Sequence, residues 1–118
     1  MTPIDLGSYK SIYLQTAKEY IDKMSVSLEK LENNALDKKA LNNLHIASHS
    51  LKSQSQVMGF MDIANVCLTI EKISDDVLKE NSKLDNEIIA NINTLVEEVK
   101  EILKPHFAEA SRGKQVQE

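Results

Sequence analysis

Residues Asp37–Gly59 read DKKALNNLHIASHSLKSQSQVMG. Aspartate ahead of a periodic apolar run is an N-cap, and glycine just past its end is a helix stop, so the stretch predicts one helix. Leu41, Leu44, Ser48, Leu51, Ser55 and Met58 recur at spacings of three and four and form its inward stripe. At about 100° per residue the stripe centres between Leu44 and Ser55. His49 falls roughly 130° from that centre and is expected partly in solvent. His45, Lys52, Ser53 and Gln56 surround it, while Ile46 and Val57 lie farther out, where an isolated bundle has no use for apolar groups. Ser48 and Ser55, small residues in the stripe, allow a neighbouring helix to approach closely. The polar stretch therefore reads as a surface.

Three more amphipathic segments flank this helix. Leu14, Ala17, Ile21, Met24, Leu28 and Leu31 mark a first helix over about 8–32, which Asn33-Asn34 ends. A third, over about 62–79, turns Ile63, Val66, Ile70, Ile73 and Val77 inward. After the polar turn ENSKLDN a fourth carries Ile88, Ile92, Leu95, Val99 and Ile102. Short connections make sequential helices antiparallel. The expected fold is all-α, an up-down-up-down four-helix bundle forming one domain over 1–107. The stretch 108–118 lacks apolar periodicity and is expected to be a frayed or disordered tail.

Composition narrows the function classes. A length of 118 residues suits one core, and only three Gly and two Pro leave long runs for helices. A net charge of −4 offers no basic footprint for nucleic acid. The single cysteine, Cys67, forms no internal disulfide and fits a reducing compartment. No apolar run approaches the ~20 residues that span a bilayer, and the N-terminus has no signal-peptide pattern. A cytoplasmic monomer without membrane contact is expected.

An outward imidazole serves as general base, metal ligand or nucleophile. No pocket, serine triad or glycine-rich phosphate loop accompanies His49, so neither autonomous catalysis nor ATP binding is indicated. A nucleophile facing outward needs no pocket, because its partner supplies one. His45 and His49 share the H-x-x-x-H spacing of zinc sites, but Ile46 stands where a metalloprotease glutamate would and no third ligand is evident; no metal site is expected. Cys67 and the methionines read as core, and His106 as structural.

His49-Ser50-Leu51-Lys52, followed by Gly59-Phe60 and then Glu71 one helix on, resembles the signature of histidine phosphotransfer (HPt) domains. The resemblance is nearest to the N-terminal phosphotransfer domain of CheA-type chemotaxis kinases and spans the chain from Tyr13 to about Leu103. It implies that His49 is the phosphoacceptor through Nε2, that Lys52 neutralises phosphoryl oxygens, and that Glu71 holds the Nδ1 proton. It further implies a phosphocarrier in a two-component phosphorelay, with no cofactor of its own. ATP would come with a histidine kinase catalytic domain, magnesium and the acceptor aspartate with a response-regulator receiver domain. His45, Ile46, Ser50, Ser53, Gln56 and Val57 are the expected docking residues. Two positions depart from the family pattern: Ser53 replaces a glycine, and Leu68 stands where a histidine is common. The other reading is a binding-only helical adaptor that docks a receiver without phosphorylation.

Overall fold

The computed structural model describes residues 6–116, with side chains from 7 to 110. Four helices follow one another: α1 (Leu6–Asn33), α2 (Lys38–Met58), α3 (Met61–Leu78) and α4 (Asn86–Val116). Each packs on its sequence neighbour and α4 closes against α1, an antiparallel four-helix bundle with no strand among the described residues. The body measures 50 × 28 × 21 Å, its long axis set by α4.

The boundaries of α2 follow from its caps. Asp37 accepts a hydrogen bond from the Ala40 backbone N–H. At the other end Gly59 has φ 81°, and Gly59 and Phe60 donate their N–H groups to the carbonyls of Gln56 and Ser55. This is a Schellman stop. Only two residues then separate α2 from α3, which forces the two antiparallel and side by side.

The core contains the whole expected stripe of α1, joined by Tyr13. In α2 the expected stripe is buried except Met58, which is half-buried, and Ala40 and Ala47 join it. In α3 and α4 the inward faces sit about one residue off the expected ones. Ala64, Cys67 and Ser74 accompany Ile63 and Ile70 at the centre, while Val66, Ile73 and Val77 are only partly buried. In α4 the buried set is Ile89, Ile92, Val96, Val99 and Leu103, with Ile88, Leu95 and Ile102 at its edges. Both helices carry adjacent apolar pairs, so their stripes are wide and their centres are decided by what packs on them.

At the end of the bundle where α2 turns into α3, Tyr13 stacks on Phe60 at 5.0 Å, and Phe60 meets His106 edge-on at 5.1 Å. The Tyr13 hydroxyl and Ser55 Oγ lie 2.7 Å apart in the interior. Burial pushes the Cys67 thiol up to about 12, with the Glu71 charge adding to it, so the group is an inert core filler.

The expected tail is corrected by α4, which runs on as helix to Val116 through Pro105, with Phe107 and Ala110 packed against the core. Ala108, Glu109 and Ala110 are good helix formers, and packing extends the element past the end of its apolar stripe. Residues 117 and 118 lie outside the described residues.

Candidate functional site

Leu51 anchors the site from behind. It is fully buried and fixes the rotation of α2, so that His49 two positions earlier emerges at the surface with 57% of its side chain exposed. Truncating Leu51 to alanine would cost about 2–5 kcal/mol. Across the groove, α3 presents Glu71, only 14% exposed, opposite His49.

The two oxygens of Glu71 have separate partners. Oε2 accepts the hydrogen bond of the His49 Nδ1–H, and Oε1 accepts one from Lys52 Nζ at 2.6 Å. Burial works against the charge on Glu71. The hydrogen bonds from Lys52 and His49, with the Lys52 charge, outweigh it and hold the carboxyl below its ordinary value. A carboxylate on Nδ1 holds that proton in place, so the ring is the Nδ1–H tautomer and its Nε2 lone pair faces solvent. This is a tautomer-fixed, outward nucleophile.

His49, Lys52 and Glu71 are thus brought together as the sequence reading expects. Lys52 differs in one respect: its ammonium, 16% exposed, is paired with Glu71 and leaves two N–H donors for an incoming group. Ser53 is also committed, its hydroxyl donating to the His49 carbonyl at 3.1 Å. The expected docking residues divide into two sets. Ile46 shares a groove with Tyr20 and Lys23 of α1, and Ser53 and Val57 share another with Tyr9 and Ile12. Ser50 lies between them along the axis of α2. Gln56 is exposed near His49 on the side toward α3. His45 is half-buried, turned into α3, with Nδ1 at 3.1 Å from Ser74 Oγ. The sequence does not mark Ser74 as a site residue. Its one signal is its place three residues after Glu71, on the same face of α3.

No group of three or more histidine, cysteine or acidic side chains suited to a metal occurs among the described residues. No described helix is long and apolar enough to cross a membrane.

A tautomer-fixed histidine on the second helix of a four-helix bundle is the arrangement of a phosphotransfer module, and residues 8–102 match the family model described as Hpt domain. The chain belongs to that family, whose members are phosphocarriers of two-component signalling. Among characterised proteins it is similar to the chemotaxis protein CheA of Bacillus subtilis (strain 168), 21% identical over 103 residues that cover 81% of this chain. The chain spans only 15% of the length of that relative. It is also similar to the solved CheA phosphotransferase domain from Thermotoga maritima, with TM-score 0.81 and 25% identity over 89% of this chain and 99% of that one. A computationally redesigned four-helix bundle shares the fold, with TM-score 0.79 and 23% identity, covering 83% and 96% of the two chains.

Proposed function

We propose that this chain carries a phosphoryl group on His49 Nε2 between a histidine kinase catalytic domain and the aspartate of a response-regulator receiver domain, in the cytoplasm. The observation that carries this reading is the hydrogen bond from His49 Nδ1 to Glu71. In the loading step the Nε2 lone pair forms an N–P bond while the bond from the γ-phosphorus to the bridging oxygen of ATP breaks and ADP leaves. The Nδ1 proton stays on the ring against Glu71, which balances the imidazolium charge. In delivery an aspartate oxygen attacks the same phosphorus in line, and the ring departs neutral with its Nε2 lone pair restored. Such transition states are loose, so positioning and charge neutralisation do most of the catalysis. Magnesium belongs to the receiver and ATP to the kinase. The free N–H groups of Lys52 are the charge on this chain for the phosphoryl oxygens.

The test is incubation with a phosphodonor, followed by mapping of acid-labile, base-stable phosphate. The expected result is one phosphate on His49 and none on His49→Gln, with helical content unchanged. A protein that binds a receiver but takes up no phosphate would instead be a binding-only adaptor.

A further inference from the structure

His45 and His49 lie one helical turn apart on α2, with Cβ atoms about 6 Å apart, and both turn Nδ1 into α3. Their anchors differ in kind. Glu71 only accepts hydrogen bonds, so it holds His49 in a single tautomer. Ser74 both donates and accepts. Its hydroxyl lies 2.9 Å from the carbonyl of Ile70 and 2.9 Å from that of Glu71, as well as 3.1 Å from His45 Nδ1. With the Ser74 proton on a carbonyl, His45 must donate from Nδ1 and keep a lone pair on Nε2. With the hydroxyl rotated toward Nδ1, the ring proton moves to Nε2. Either state leaves the ring neutral. The rotation costs little, because α-helical carbonyls such as those of Ile70 and Glu71 keep their backbone hydrogen bonds.

Resting on the assignment of His49 as phosphoacceptor, we propose that His45 is a phosphoryl-binding residue whose tautomer switches when His49 is phosphorylated. In the free protein Nε2 holds a lone pair. A phosphoryl dianion on His49 Nε2, one helical turn away, repels that lone pair and favours an N–H there. Ser74 then turns its hydroxyl to Nδ1, solvent exchanges the ring proton from Nδ1 to Nε2, and His45 donates a hydrogen bond to a phosphoryl oxygen. Nothing else is gained or lost. The switch supplies a donor that Lys52, already paired with Glu71 through one of its three N–H groups, supplies only in part.

The test is long-range 15N NMR of the histidine rings in the whole chain, before and after loading with phosphoramidate, at a pH where free imidazole is neutral. The expected result is that the unprotonated nitrogen of His45 changes from Nε2 to Nδ1 on loading, while His49 keeps its Nδ1 proton. In parallel, the equilibrium constant for exchange with phosphoramidate should fall about tenfold in His45→Leu, since a hydrogen bond to a charged group is lost. His45→Gln, whose amide N–H occupies nearly the place of Nε2–H, should recover most of it. If His49 loads while His45 keeps its lone pair on Nε2, or carries protons on both nitrogens, the switch is wrong and the phosphocarrier reading stands. If His49 takes up no phosphate, both fall together.

Discussion

Glu71 receives a ring N–H on one carboxylate oxygen and an ammonium on the other, and each contact depends on its charge. Glu71→Gln keeps the shape but leaves Lys52 without its anion and weakens the hold on the Nδ1 proton. Phosphate uptake by His49 should fall about ten- to a hundredfold, the usual loss when the partner orienting a working histidine is removed. Uptake at the wild-type rate would show that Glu71 does not set the tautomer. The same pair predicts a pH dependence. The folded carboxyl titrates below its unfolded value of about 4.3, so its contribution to stability is complete above that value and is lost as pH falls through the folded one. Thermal melts should separate wild type from Glu71→Gln near neutrality, and the gap should close in acid. Part of this site is legible in the sequence: the α2 wheel turns His49 outward, whereas Glu71 is picked out only by its resemblance to the family's carboxylate, because no spacing within α2 says what α3 sets opposite. The Lys52–Glu71 pairing and the His45–Ser74 contact are not legible, since each depends on the distance across α2 and α3, which no spacing within one helix encodes.

Helices α2 and α3 end in the same backbone device built from different residues. Gly59 takes φ 81° after α2, and Glu80 takes φ 62° after α3, with the N–H groups of Glu80 and Asn81 bonded to the carbonyls of Val77 and Asp76. Left-handed backbone strains any residue with a Cβ, and glycine escapes the strain. Glu80→Gly should therefore stabilise the bundle by about 1 kcal/mol, the relief of strain exceeding the added freedom of the unfolded chain. The lost Lys38–Glu80 contact, 3.8 Å between two exposed side chains, is worth little against that. Gly59→Ala should cost about the same amount, through backbone strain alone, because a Cβ there meets nothing within 4 Å. Chemical denaturation of the two variants measures both shifts, and equal midpoints for Glu80→Gly and wild type would refute the account. The asymmetry explains what the sequence disclosed about the elements. A glycine announces the end of α2, whereas nothing in Lys79-Glu80-Asn81 marks a left-handed stop. Likewise, pairs such as Ile88-Ile89 and Leu95-Val96 announce a helix in α4 without saying which member points inward.

Over the whole molecule, five of the seven exposed large apolar side chains among the described residues gather on one side, the exceptions being Leu36 in the turn between α1 and α2 and Met61. Tyr9, Ile12 and Val26 of α1 and Ile46 and Val57 of α2 are all more than half exposed, Val57 at 85%. They line two grooves along the α1–α2 seam, one on each side of the level of His49. On α3, Met61 at its start is the one large hydrophobic so exposed among the described residues, and α4 has none. A patch of this kind beside an exposed histidine suits a transient protein partner, and on the proposed function that partner brings its aspartate up to Nε2 from that side. Ser53 stands one turn beyond His49 between Ile12 and Val57, and its small side chain keeps the approach open. Ser53→Trp or Ser53→Arg should therefore block transfer from phosphorylated protein to a receiver domain by steric exclusion. Loading of His49 by phosphoramidate, a small donor that needs no docking, should continue. Stability should change by about 0.5 kcal/mol or less, because position 53 lies outside the core stripe. Ser53→Gly should transfer as fast as wild type or slightly faster, at a helix-propensity cost of about 0.5 kcal/mol or less. Stopped-flow transfer to a receiver domain decides the matter. A wild-type rate in Ser53→Trp would mean that the partner reaches His49 from the α3 side, past Gln56 and His45, and that the apolar seam serves something else.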